Sequence, residues 1–125
     1  MEIKKIHTEK APAAVGPYSQ AIKVGDFIFL SGSLGIDPTN GKLKETLEEQ
    51  VIQALTNIKN ILASEGLGIK NIVKTTVFLA DMNDFQSMNK IYTEFFGETK
   101  PARSTVEVSR LPLDAKFEIE AIAVI

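Results

Sequence analysis

Two stretches of this chain, Phe27 to Ser31 and Lys116 to Val124, are apolar on both faces of a strand. Phe27 and Phe29 oppose Ile28 and Leu30, and Phe117 and Ile119 oppose Ile122 and Val124. Successive strand residues point to opposite sides, so a sheet built from such strands needs cover on both. The remaining sequence supplies helices for one side only. From Thr46 to Ser64 the apolar period is helical, with Leu47, Val51, Leu55, Ile58 and Leu62 at three- and four-residue steps and Ala54 and Ile61 widening the stripe. A second stripe runs through Phe85, Met88, Tyr92, Phe95 and Phe96 and stops at Gly97. Two helices cannot cover both faces, so the pattern predicts that another copy of the chain covers the second one.

The local signals give the element order. Residues 2–7 read as a short edge strand, and Ala11 to Pro17 as a loop that places Tyr18 at a strand entrance. Gly25-Asp26 between two apolar runs predicts a tight hairpin, and Asp37-Pro-Thr-Asn-Gly41 a second turn. Thr46 is placed to cap the first helix, with Glu48 and Glu49 at the positive end of its dipole. Ile72 to Ala80 is rich in β-branched residues and reads as a central strand. Asp81, Asn83 or Asp84 caps the second helix, and strands over 102–108 and 116–124 follow. The expected fold is α+β, one domain over residues 1–125, with both helices on one face of the sheet.

Composition removes several classes of function. The chain has no Cys and one histidine, His7, so neither a disulfide framework nor a structural zinc site has ligands. A net charge of −2 with interspersed signs provides no chain-wide field for nucleic acid or an anionic membrane. The N-terminus lacks an apolar signal core, and no run approaches the ~18 apolar residues of a membrane span, which reads as a cytoplasmic protein. Ser31-Gly32-Ser33 lacks the Gly-x-Ser-x-Gly elbow of a hydrolase nucleophile, and no glycine loop cradles phosphate.

What remains is a pair of opposite charges in apolar strands. Pro101 to Val108 reads as an interior strand on which Arg103, Thr105 and Glu107 share a face. On the last strand Glu120 shares its face with Ile122 and Val124, which makes it a better candidate for a buried acid than Glu118, nearer the expected exposed end. Two readings stand side by side: a structural Arg–Glu pair, or an arginine fork that grips a carboxylate from a small ligand. Gly32 either lets backbone groups approach a ligand or allows a strand bend. Tyr18 and Asn89 are equally open, since an aromatic after proline often plugs a core and a helical Asn is usually solvated.

Taken jointly, Gly16-Pro-Tyr-Ser-Gln-Ala21, Phe29-Leu-Ser-Gly32, Val73-Lys-Thr-Thr-Val-Phe78, Asn89 with Tyr92 and Phe95-Phe96, Pro101-Ala-Arg-Ser104 and Glu118-Ile-Glu-Ala121 resemble the RidA/YjgF family, also labelled L-PSP endoribonuclease. The likeness covers nearly the whole chain. It implies a chorismate-mutase-like α+β fold assembled as a homotrimer, with sites in the clefts between subunits. It also implies hydrolysis of 2-iminobutanoate and 2-iminopropanoate, released by pyridoxal-phosphate-dependent dehydratases, to 2-oxo acids and ammonia, with no cofactor. By the resemblance Arg103 binds the substrate carboxylate, Glu120 positions or polarises water, Tyr18 and Asn89 line the pocket, and Ser31 and Gly32 complete it. Thr105 stands where many members carry cysteine, and Ser33 where many carry glutamine. Thr105 keeps a hydrogen-bonding group and removes any thiolate mechanism. Two alternatives remain at this stage: an endoribonuclease or translation inhibitor, and a non-catalytic binder of small 2-oxo or 2-imino acids.

Overall fold

A computed structural model describes all 125 residues. The elements run β1 (Ile3–Ile6), β2 (Ala21–Val24), β3 (Phe27–Leu34), α1 (Leu47–Ala63), β4 (Ile72–Leu79), α2 (Phe85–Phe96), β5 (Ala102–Glu107) and β6 (Phe117–Val124). They form one mixed sheet in the order β1-β2-β3-β6-β4-β5, in which only β4 and β5 pair in parallel. No helix is long and apolar enough to cross a membrane.

The expected elements form for the expected reasons. Gly25 adopts φ +58° in the two-residue turn that pairs Val24 with Phe27. Thr46 caps α1 through a reciprocal box: its hydroxyl accepts from Glu49 N at 3.1 Å, while Glu49 Oε1 accepts from Thr46 N at 3.2 Å. Asp81 caps a 3-10 turn, Met82–Asp84, which leads directly into α2. The core lies between the sheet and both helices, where Ile28, Leu55, Ile58, Leu62, Val77, Leu79, Phe117 and Ile119 are fully buried.

The opposite face carries Phe27 and Phe29, both more than two-fifths exposed, beside Ile122 and Val124 on β6. This is the uncovered apolar face that the two-sided strands predicted.

Two placements differ from the sequence reading. The strand bearing Arg103 is not interior: β5 pairs only with β4 and closes one edge of the sheet. Its outward side chains, Ser104 and Val106, resemble those of an inner strand, and periodicity does not encode strand order. Nor is Glu120 the more buried acid. It is exposed, whereas Glu118 is half-buried. Glu118 lies near the entry to β6, but β3 crosses it there with a bulge between Leu30 and Ser33 that brings Gly32 over the carboxylate.

The loop joining β5 to β6 contains a 3-10 turn, Pro112–Asp114, in which Leu113 has φ 61° and ψ 21° and Asp114 has φ 53°. Left-handed backbone costs an L-residue roughly 1–2 kcal/mol. Leu111 and Ala115, both buried, hold the turn on either side.

Candidate functional site

The residues singled out in the sequence fall into two groups on opposite sides of the sheet. The first gathers around Arg103. Cross-strand pairing of Thr75 with Arg103 and Val77 with Thr105 puts both β5 residues on the helix side. There Arg103 Nη1 donates to Asn89 Oδ1 at 2.7 Å, and its Cζ lies 4.6 Å from the Tyr92 ring centroid and 5.6 Å from that of Phe85. Stacking and the Asn89 bond hold the guanidinium plane while leaving other N–H groups for a ligand. Tyr92 is anchored in turn by a 2.7 Å hydrogen bond with Thr75 and by Phe96, at 4.4 Å between centroids. Burial raises the Tyr92 phenol above its usual 10.0, against smaller lowering by the Thr75 bond and the Arg103 charge. The ring therefore stays neutral under the cation.

No acid of its own chain pairs with Arg103. The structural ion-pair reading therefore fails within the subunit. Thr105 Oγ1 is buried beside this group with no hydrogen-bond partner.

The second group gathers where β3 bulges. Gln20, almost fully buried, ties down the preceding loop: Nε2 donates to the carbonyls of Thr8 at 3.0 Å, Ala11 at 3.3 Å and Pro12 at 2.8 Å, and Oε1 accepts from Thr8 N at 2.7 Å. This loop carries Tyr18, which is 52% exposed and lines a cavity of about 410 Å³ together with Ser31 and Gly32. Ser31 Oγ donates to Ser19 O at 2.6 Å, so the hydroxyl's hydrogen is engaged and its lone pairs remain.

Glu118 is the candidate that the sequence reading ranked below Glu120. Its carboxylate occupies the place where a side chain at residue 32 would stand: a Cβ on Gly32 would overlap Glu118 Oε2. Burial raises the Glu118 carboxyl above its ordinary 4.5, and the neighbouring Glu120 charge raises it further. A half-buried acid with a raised pKa, packed against Gly32 of the cavity wall, is suited to taking and returning one proton. The signal was the pairing of an acid with a glycine on the adjacent strand, which needs the β3–β6 register to be seen.

Gly32→Ala tests this contact. The added methyl displaces the carboxylate, and a shift of about 1 Å is enough to cost roughly a hundredfold in kcat. The melting temperature should stay close to that of the wild type, because only the end of a flexible side chain must move.

One subunit does not unite the two groups. Glu118 and Glu120 lie opposite Phe78 and Thr76 of β4, on the face away from the helices, whereas Arg103 and Thr105 lie opposite Thr75 and Val77 on the helix face. The sheet stands between the cation and the acids. A small ligand touching both must therefore lie between two copies of the chain.

Comparison with known proteins gives the same fold and residues a family. Over 119 residues the chain is 56% identical to a RutC family protein of Pyrococcus abyssi, covering 94% of each chain. It is 51% identical over 124 residues to the 2-iminobutanoate/2-iminopropanoate deaminase of Salmonella typhimurium, covering 97% of each. Among solved structures it matches Escherichia coli TdcF with bound serine at a TM-score of 0.93 and 43% identity, covering 98% of both chains. Residues 8–125 match the family model Endoribonuclease L-PSP, so the chain belongs to the L-PSP endoribonuclease family, the RidA/YjgF proteins.

Proposed function

We propose that the protein is an imine deaminase that hydrolyses small 2-imino acids to 2-oxo acids and ammonia at sites shared between subunits of a homotrimer. The observation that carries this reading is Arg103, a guanidinium held flat by Tyr92 and Asn89 with no acid of its own chain to neutralise it. Such a fork matches a carboxylate bidentately. The relatives named as 2-iminobutanoate/2-iminopropanoate deaminases, about half identical along nearly the full chain, support the imine as the reacting group.

The chemistry follows from what each group can do. Arg103 of one subunit binds the substrate carboxylate and fixes C2. Glu118 of the next accepts a proton from water as the water oxygen bonds to C2 of the protonated imine, giving a carbinolamine. The proton on Glu118 then passes to the amine nitrogen, the C–N bond breaks as the Glu118 carboxylate takes the hydroxyl proton, ammonia leaves, the 2-oxo acid remains, and Glu118 releases that proton to the departing ammonia or to solvent. Water is consumed and no electrons change hands. An iminium is already electrophilic, so orientation plus general acid–base help of ~10²–10⁴-fold is sufficient. Tyr18 lines the pocket, and Ser31 and Gly32 shape its wall. Thr105 Oγ1, unpartnered in the subunit, is available to the ligand. Glu120 acts on Glu118 through its charge rather than on water.

The test generates imine from L-threonine with a threonine dehydratase in the presence of semicarbazide. The protein should divert product from semicarbazone to 2-oxobutanoate in proportion to its concentration. No diversion, together with saturable 2-oxobutanoate binding, would show a binder instead. RNA cleavage that co-purifies with the protein and is lost on mutation of Arg103 would favour the nuclease reading.

A further inference from the structure

The uncovered face of the sheet is not apolar throughout. Cross-strand pairing sets its side chains in rows. Ile22, Phe29, Ile122 and Lys74 lie opposite one another across β2, β3, β6 and β4, and Val24, Phe27 and Val124 form the row on one side of them. The row on the other side holds Glu120, Thr76 and Ser104. An amine and a carboxylate thus flank the apolar patch on adjacent strands, one row apart. Neither has a counter-charge in its own chain, whose ion pairs are Lys4–Glu65, Lys44–Asp37 and Arg110–Asp114. A diagonal of this kind spans about 7–8 Å, within reach of a lysine, yet the two do not meet. Lys74 Nζ turns instead toward the sheet edge and donates to Ser104 Oγ at 3.5 Å, and Glu120 stays exposed.

Size decides whether a second copy could cover the apolar rows and leave these charges in water. Strands lie about 4.8 Å apart and alternate residues about 6.7 Å along them, so each position takes roughly 32 Å² of the face. The six apolar positions Ile22, Val24, Phe27, Phe29, Ile122 and Val124 then span roughly 190 Å² in plan, against about 800 Å² buried on each partner of a stable contact. A copy seated on the aromatics therefore extends over Lys74 and Glu120 as well. Charges enclosed there without counter-charges would oppose the contact. In a head-to-tail contact, one residue of a copy meets a different residue of the next, and the reverse contact falls on the copy beyond. One amine and one acid per chain are then sufficient. Every copy lends Lys74 to one neighbour and Glu120 to the other, and a closed ring leaves no charge over.

We propose that Lys74 of one copy pairs with Glu120 of the next, and that this pair sets the register in which copies seat on the uncovered face. The pair rests on the reading of sites shared between subunits and extends it, by naming what aligns the Arg103 half of one copy with the Glu118 half of another. Glu118 lies two residues from Glu120 on the same face of β6, so a register fixed at Glu120 also fixes the acid of the reaction centre. Above the assembly midpoint Glu120→Gln keeps its partner copy, and its turnover then reports on Glu118 alone.

Sedimentation velocity over a concentration series reads assembly without reference to turnover. The wild type should assemble. Lys74→Glu and Glu120→Lys each set like charges against one another and should raise the dissociation constant at least about a hundredfold. The double variant, Lys74→Glu with Glu120→Lys, restores an acid opposite a base at every contact and should return to within about tenfold of the wild type. That recovery would also show that the single variants dissociated without misfolding. Lys74→Glu combined with Glu48→Lys restores the net charge only at the start of α1, on the helix side, and should stay dissociated. Single variants that assemble like the wild type, a double variant as dissociated as the singles, or recovery with Glu48→Lys would overturn the pair. Complementation between Arg103→Ala and Glu118→Gln would then still uphold the shared site. A wild type that stays monomeric at every concentration removes both. Recovery on charge exchange without any imine turnover sustains the pair while the deaminase reading falls.

Discussion

Glu118→Gln should lower kcat by about 10²–10⁴-fold while leaving the fold intact, and Glu120→Gln should change it only a few-fold. The two acids share a strand, a face and a charge, so any general effect of acidity on that surface would make them equivalent. Burial makes them different. Glu118 lies under Gly32 and is held above the ordinary carboxyl range, whereas Glu120 is exposed and contributes to that elevation through its charge. Activity should therefore rise with pH as Glu118 ionises, through a midpoint above 4.5, and Glu120→Gln should move this limb to lower pH. An unchanged limb in Glu118→Gln would assign the titration to another group.

The same shift carries a stability consequence of the opposite sign. Between 4.5 and the elevated value, the folded protein holds a proton that the unfolded chain has released. Stability from this group is thus present below that window and is lost as pH rises through it. Glu118→Gln should flatten this slope, and thermal melts across the acidic range would show it. A variant that loses activity while losing no stability above the window marks a residue kept for chemistry.

Arg103→Ala should lower kcat/KM by at least about a hundredfold. Hydrogen bonds to a charged group contribute about 1.5–3 kcal/mol each, a bidentate pair makes two, and every 1.4 kcal/mol is about tenfold. Arg103→Lys keeps the charge without the planar fork or its stacking on Tyr92 and should fall between wild type and alanine. The loss should appear in titrations with 2-oxobutanoate as well as in turnover, because the product carries the same carboxylate. Mixing the Arg103→Ala and Glu118→Gln proteins under exchange conditions should restore about a quarter of wild-type activity, since a site between copies can combine the intact residue of each. No recovery after verified exchange would place both residues in one subunit's site and contradict the opposite-face geometry.

The secondary structure was legible where the physics is local. The 3.6-residue stripe of α1, the Thr46 cap and the Gly25-Asp26 turn each depend on residues within a few positions of one another, and all three formed as read. The uncovered apolar face was legible too, because alternation is a property of each strand alone. What escaped depends on neighbours distant in sequence. Nothing in Phe117 to Val124 distinguishes Glu118 from Glu120; the bulge of β3 does, more than eighty residues upstream. Likewise, β5 reads as interior because its composition is that of a covered strand. The cavity beside Tyr18 is assembled from the 12–18 loop, β3 with its following turn, α1 and the β5–β6 loop, so no single segment announces it.

The placement of the cation and the acids on opposite faces also governs how such a protein behaves when scarce. A lone subunit exposes Phe27 and Phe29 and, on the proposed reading, would own only half of each reaction centre. Association as proposed would complete both the apolar cover and the chemistry, so assembly and catalysis would share one mass-action equilibrium. Dilution would then remove activity along with the partner, and an unassembled chain would be a catalytically silent species rather than a slow enzyme. Substitutions on the apolar face, far from Arg103 and Glu118, would register in assays as catalytic defects that added protein can reverse.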